Sequence, residues 1–319
     1  MTTSMSQSAS SSDPGSGATP TGTTHDGAAL NGAGHNGTMS NAVAPNGSAQ
    51  NGTGLNGAAQ NGMPQHGMTA LPSGSLLGAP AWRLSDAFDR AAPSYDAMVA
   101  LSPGYHDQLR RSAQALMARA TLPVDRPMRV ADLGCGSGAS TAALLEAASE
   151  AGATDPVVTG VDASAGMLGE AARKPWPDSV GFVETDALSW LQAQPAASLD
   201  AVLAAYLLRN VTERDAIVEE LARVLVSGGA VALQDYSVAG RPLAGALWAG
   251  VCHAVIIPLA VINRSDVPLH RYLYRSVRDF DSVEVLHDRL TRAGLSDPQH
   301  LRHSGWQRSM VHTLTAVAP

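Results

Sequence analysis

The sequence is short of cysteine, of charge and of any basic concentration, and each shortage removes a class of function. Two cysteines, Cys135 and Cys252, in 319 residues support neither a disulfide framework nor a zinc cluster. A reducing, cytoplasmic setting without a bound metal is therefore the expectation. Charged side chains make up 15% of the chain and the formal net charge is −7. A nucleic-acid binder gathers a basic face to meet phosphates, so no nucleic-acid partner is expected. Behind Met1 come Ser, Thr, Gln and Ala with no basic region and no apolar run, so no signal peptide is expected either.

The first 80 residues lack aromatic side chains, and Asp13 and Asp26 are their only charges. Asn-Gly pairs recur at Asn31, Asn36, Asn46, Asn51, Asn56 and Asn61. Such a segment cannot bury enough apolar surface to offset chain entropy, so residues 1–80 are predicted to be a disordered, low-complexity tail. A tether, a solubility tail or a start codon placed too early, with Met63 or Met68 as the true start, all suit it. Sequons such as Asn36-Gly37-Thr38 are incidental without an export signal.

From Ala81 onward helical and strand patterns alternate. Residues 88–120 read as two or three helices broken at Pro93 and Pro103. Strands follow at "MRVADLG", "VVTGVD", "SVGFVETD" and "LDAVLAAYLL", the last continuous in its apolarity, as a parallel strand covered on both faces should be. A helix stopped by Gly152 follows the first strand. Another begins at Thr212, where Thr212-x-x-Asp215 has the form of a capping box. Gly228-Gly229 leads into a fifth strand, "AVALQDYS". This alternation predicts an α/β fold with a doubly wound, mostly parallel sheet.

"VADLGCGSGAS" places Asp132, Gly134, Gly136 and Gly138 where a strand passes into a helix. Glycines there permit a tight turn and let backbone amides approach a ligand, with a helix N-terminus behind them. The spacing is D-x-G-x-G-x-G and not the G-x-G-x-x-G of a dinucleotide site. Asp162 and Asp186 end the second and third strands. Three strand-end acids around a glycine turn suit a cationic, adenosine-containing ligand better than a pyrophosphate.

These residues resemble the class I S-adenosylmethionine-dependent methyltransferases over residues 84–319. The resemblance implies a Rossmann-like sheet of seven strands, the last antiparallel, with N-terminal helices and S-adenosyl-L-methionine as cofactor. It places Asp132 and Ser137 near the methionine part, Asp162 on the ribose and Asp186 with Ala187 at the adenine, with Gly134, Gly136 and Gly138 forming the cradle. "FDRAAPSYDAM", "SPGYH", "LLRNVTERDAIVEELARVLVSGG", "VIIPL" and "HRYLYRSVRDF" occur in this order. Together they are similar to the ubiquinone/menaquinone biosynthesis C-methyltransferases, which methylate a ring carbon of a prenylated quinol. The resemblance makes Arg209 and Asn210 the catalytic residues and gives the pocket a lipophilic small-molecule acceptor. Tyr95, His106 and Tyr272 are the expected acceptor-binding residues, and with His270 they are candidates for a second proton-moving group.

Several positions depart from that family. Leu207 stands where glycine precedes Leu-Arg-Asn, Ala205 replaces a serine, Val99 an asparagine and Arg275 an acidic residue. Methylation at oxygen of a carotenoid or other secondary metabolite, and a silent cofactor-binding protein of a lipid-biosynthetic complex, stay open as readings. Residues 241–280 are expected to form a helical lid over the acceptor. The apolar stretch between Arg241 and Arg264 is long enough to span a bilayer, but His253 and Pro258 interrupt it. A hydrophobic lid in contact with a membrane surface and a buried packing helix are both open readings of this stretch, and the oligomeric state has no signal in the sequence.

Overall fold

The structure is a computed structural model and describes residues 81–100, 102–262 and 267–319. The expectations for residues 1–80 fall outside the described residues. Seven strands form one sheet: β1 (Arg129–Leu133), β2 (Val157–Asp162), β3 (Val180–Glu184), β4 (Leu199–Ala205), β5 (Leu225–Tyr236), β6 (Ser296–Arg302) and β7 (Val311–Val317). Their order is β3-β2-β1-β4-β5-β7-β6, and β1 to β5 run parallel. β7 is antiparallel to both neighbours, as expected for the last strand.

β4 shows why the sequence reads as a continuous apolar run. All seven of its residues are buried. Val202 and Ala204 point into a core shared with α5 (Ala187–Ala193), α6 (Arg214–Val224) and α10 (Val283–Arg292). Ala201, Leu203 and Ala205 point into the opposite core, built with α2 (Tyr105–Met117) and α3 (Ala139–Glu150). A strand covered on both faces favours apolar side chains throughout, and its one charged residue, Asp200, is buried only because Arg126 pairs with it at 2.5 Å. Connections leave β1 toward β2 and β3 on one side and enter β4 and β5 on the other. The switch between β1 and β4 opens a crevice at the carboxyl ends of the strands, where open α/β sheets bind ligands.

Three local expectations are corrected. Pro93 does not break the first helix, because α1 runs unbroken from Ala81 to Ala100. Gly166, in α4 (Ala165–Ala172), lies against Asp89, the residue whose carbonyl Pro93 cannot serve. Docking against α4 thus covers the gap. The capping box at Thr212 does not form. Glu213 is the N-cap residue of α6, and the Thr212 hydroxyl donates to the Glu213 carboxylate at 2.6 Å. β4 ends at Ala205, and Leu208–Asn210 form a 3₁₀ turn instead of continuing the strand. Tyr206 makes the break with φ 59°, a left-handed conformation that costs a bulky residue about 1–3 kcal/mol unless its surroundings enforce it.

The region 241–280 is helical: α7 (Pro242–Val251), a π turn (Cys252–Ile256), α8 (Ile257–Ile262) and α9 (Val267–Arg278). Among the described residues no helix is long and apolar enough to cross a membrane.

Two buried histidines under this region set an acid limit. His312 lies between Arg241 (3.0 Å) and His300 (3.1 Å), and His303 bonds the Thr313 hydroxyl at 2.8 Å. Burial, with the Arg241 and His300 charges, lowers His312 to about 3; burial, with Arg111, lowers His303 to about 4. The unfolded chain takes up these protons near 6.5 and the folded chain does not, so stability falls as pH drops below 6.5. Each histidine then costs about 2 kcal/mol by pH 5. Asp132, raised to about 6 by burial, gains a proton in the folded state over the same range and offsets part of that loss. The urea midpoint should therefore be lower at pH 5 than at pH 7, with the difference reduced in His303→Gln; a midpoint independent of pH would contradict the assignment.

Candidate functional site

β1 hands over at Leu133 to a turn through Gly134, Cys135, Gly136 and Ser137, and α3 starts at Ala139. Gly136 and Gly138 have φ 53° and 90°, where a side chain is strained. A Cβ on Gly138 would also stand 2.7 Å from the Trp176 ring. The Asp162 carboxylate at the end of β2 accepts the backbone N–H groups of Gly136 and Ser164, each at 2.9 Å. Burial raises its pKa against the pull of those two bonds. Asp186 caps α5 and accepts the Ser189 N–H at 2.9 Å. Burial opposes its charge, but the hydrogen bonds from Ser189 and neighbouring amides outweigh it and hold the pKa down.

Asp132 is placed differently. It is fully buried behind the turn, and one oxygen takes both the Ser140 (2.7 Å) and Thr141 (2.6 Å) hydroxyls. Its other oxygen has no partner. Asp132 supports the first turn of α3 and does not line the cavity.

The cavity measures about 1340 Å³ and runs from the glycine turn to the lid helices. That exceeds the roughly 300–1,000 Å³ of a site for one drug-sized ligand, so a donor and an acceptor fit side by side. Gly134, Gly136, Ser137, Asp162, Asp186 and Ala187 line one end. The other end is aromatic. Tyr105, Tyr206, Tyr236 and Trp248 stack in series with ring centroids 5.6, 5.2 and 5.5 Å apart. The chain has six tyrosines; five line this cavity, and the sixth, Tyr272, donates its hydroxyl to Asn210 Oδ1 at 3.1 Å.

Arg209 lies at the junction of the two ends. Its guanidinium is buried, pairs with Asp235 of β5, and stands 5.4 and 5.9 Å from the Tyr206 and Tyr236 ring centroids. Asp235 also accepts the backbone N–H groups of Arg209 (3.1 Å) and Tyr236 (2.8 Å). Burial works against the Arg209 charge, and Asp235 more than restores it, so its pKa is raised. Arg209 Nε is buried without a partner. Asn210 donates to the Tyr206 carbonyl at 2.9 Å and also lines the cavity.

Behind the stack, a polar chain fixes two ring hydroxyls. The Tyr206 hydroxyl donates to Gln108 Oε1 (3.0 Å), Gln108 to Gln307 (2.5 Å), and Gln307 to the Tyr236 hydroxyl (3.0 Å). The turn has a cover too. Asp96 of α1 takes the Ser137 hydroxyl at 2.5 Å and Lys174 Nζ at 2.8 Å, while Asp89 takes Ser164 Oγ (2.5 Å) and the Gly166 N–H (2.8 Å).

Of the residues expected to bind an acceptor, Tyr95 lines the cavity, as does His270, the further proton-moving candidate. His106 does not: it is exposed on the first turn of α2, its ring edge-on to Tyr105, which faces inward in its place. Tyr272 stands behind Asn210 and steadies it. Leu207 lines the cavity beside the glycine loop, 3.1 Å from where a Gly134 Cβ would lie. Sequence reasoning passed over Asp235, although it ends a parallel strand just as Asp162 does. Gln307 carried no signal, since it arrives from the β6–β7 connection.

The donor set fits S-adenosylmethionine. Asp162 has accepting capacity beyond its two backbone bonds, the glycine turn lines the cavity beside it, and carboxylates rather than arginines surround it. Removing Asp235 would strand the Arg209 charge, at a cost of about 3–5 kcal/mol. Asp235→Ala should lose most of that in urea unfolding, and Asp235→Leu with Arg209→Met should recover much of it. Equal stability of Asp235→Ala and the native protein would show that the pair carries no such role.

The ubiE/COQ5 methyltransferase family matches residues 79–312. A demethylmenaquinone methyltransferase of Clavibacter sepedonicus is 33% identical over 219 residues, covering 68% of this chain and 84% of that protein. A ubiquinone/menaquinone biosynthesis C-methyltransferase, UbiE, of Rhizobium leguminosarum bv. trifolii is 28% identical over 238 residues, covering 70% and 88%. A trans-aconitate 2-methyltransferase of Azoarcus sp. is 37% identical over 130 residues, 41% of this chain and 47% of that protein. The family match extends from ahead of α1 into β7, well past the glycine turn that many nucleotide-binding folds share. The chain belongs to the ubiE/COQ5 methyltransferase family and is an S-adenosylmethionine-dependent methyltransferase.

Proposed function

We propose that the protein methylates a ring carbon of a lipophilic quinol. The observation that carries the reading is the buried Arg209 beside a stack of four aromatic rings, at the end of the cavity away from the glycine turn. Relatives named for demethylmenaquinone and for ubiquinone/menaquinone biosynthesis support it. In this reading residues 81–319 are the catalytic unit, and residues 241–280 cover the acceptor. Both cysteines are buried and unpaired, in keeping with a cytoplasmic setting.

When bound, S-adenosylmethionine supplies an electrophilic methyl group on a cationic sulfur. Asp162 and Asp186 would hold its ribose and adenine ends, and the turn from Gly134 to Ser137, whose Gly134 and Gly136 amides already bond Val161 and Asp162, would line its remaining length. Residues of the chain align the acceptor and exclude water, which can lower such a barrier by about 7–11 kcal/mol. The aromatic wall stacks on the acceptor ring. Burial pushes the phenols of Tyr95, Tyr105, Tyr206 and Tyr236 above their usual value. They therefore stay protonated at neutral pH and act as donors, not as bases. The ring hydroxyl releases its proton to water, and the Arg209 charge stabilises the oxyanion left behind. Once the ring carbon carries the methyl, its C–H proton also leaves to water, which restores the aromatic ring. Asp235 and Tyr272 act through Arg209 and Asn210 by fixing where they point.

Incubation with a short-chain demethylmenaquinol should give a product one methyl heavier, with NMR placing the methyl on ring carbon. A methoxy product would overturn the carbon reading. Asp162→Ala should weaken S-adenosylhomocysteine binding about 10–100-fold in calorimetry. Arg209→Lys keeps the charge and loses the fork, so it should keep that affinity and lower turnover about 10²-fold. Unchanged turnover would remove Arg209 from the reaction.

A further inference from the structure

Asp89 of α1 does not line the cavity, yet it is bonded to the wall of the donor end. Its Oδ1 accepts the Ser164 hydroxyl at 2.5 Å and the Gly166 N–H at 2.8 Å. Ser164 is the N-cap residue of α4, and its hydroxyl oxygen accepts the Met167 N–H at 3.1 Å. With its proton given to Asp89 and a lone pair to Met167, that side chain is held in one orientation. The Ser164 backbone N–H then donates to Asp162 Oδ1, while the Gly136 N–H donates to Asp162 Oδ2, each at 2.9 Å. A chain of hydrogen bonds therefore runs from α1 through Ser164 to the acid that ends β2.

An acid at position 89 is more than helix docking requires. Burial raises the Asp162 pKa, and the like charge of Asp89 adds to the rise. Donors at the α4 N-terminus offset that repulsion. α1 has other anchors. Further along it, Asp96 takes the Ser137 hydroxyl and Lys174 Nζ, while Ala87 and Ala91 pack with Leu269 and Tyr272. The contact at Asp89 is also unusually close. A Cβ on Gly166 would stand 2.9 Å from the Asp89 Cα. Glycine within a helix costs about 1 kcal/mol against alanine, and at Gly166 it lets the carboxylate reach both donors.

We propose that Asp89 is a positioning residue for the methyl donor: acting through Ser164, it sets where the Asp162 carboxylate points and so how tightly the donor is held. This rests on the reading that Asp162 binds the ribose. Tyr95, Met98 and Val99 of the same helix line the cavity, so one element reaches both the donor acid and the acceptor wall.

A double-mutant cycle on S-adenosylhomocysteine affinity, measured by calorimetry with the full chain, tests it. Asp89→Ala should weaken binding about tenfold. In an Asp162→Ala background the same change should cost less than about twofold, because its effect passes through Asp162. Asp89→Asn keeps an accepting oxygen for Ser164 and Gly166 and should recover most of the affinity. Ser164→Ala cuts the chain without touching α1, and it repeats the cycle should Asp89→Ala fail to fold. Two results would overturn the proposal. One is native affinity in Asp89→Ala or Ser164→Ala. The other is a loss of equal size with and without Asp162, which a docking role alone would give. Native affinity in Asp162→Ala would remove the ribose reading itself, and the proposal with it.

Discussion

A guanidinium at 9% side-chain exposure must be neutralised where it stands. In this fold that need is met by Asp235, and the solution determines the neighbourhood. Arg209 leaves β4 and Asp235 ends β5, so the pair exists because these strands are adjacent and parallel. Asp235 accepts two further donors, the backbone N–H groups of Arg209 and Tyr236, which fixes the carboxylate before any ligand arrives. The charge is kept, steered between two tyrosine rings, and given one unpartnered N–H.

The same carboxyl edge separates two tasks. β1 to β3 contribute the turn and the acids Asp162 and Asp186, while β4 and β5 contribute Tyr206, Arg209, Asp235 and Tyr236. Leu207 is where they touch, with its side chain against Gly134. Leu207 therefore stands at the seam between the glycine turn and the aromatic end.

Fold and donor end were legible in the sequence because both follow from local pattern. A run such as Leu199–Ala205 announces a doubly covered strand, and glycines behind a strand-end acid announce a turn. The acceptor end was harder, since its members come from distant parts of the chain. Gln108, Tyr206, Tyr236 and Gln307 form one hydrogen-bonded group across some 200 residues of sequence, and spacing carries no trace of that. His106 misled because its neighbour Tyr105 faces inward on the same helical turn. Thr212 misled because a capping pattern competes with whatever geometry the preceding segment imposes, here a 3₁₀ turn that starts from a left-handed Tyr206. Pro93 misled because tertiary docking on α4 overrides a local break.

Aromatic residues make up only 4% of this chain, and its two main cores are mostly alanine, valine and leucine. The tyrosines are spent almost entirely on one cavity wall. Large rings supply much of the cohesion in most cores, and here that cohesion is lodged where ligands come and go. Catalytic cycling and structural integrity therefore draw on the same side chains, and the protein is most completely packed when it is occupied.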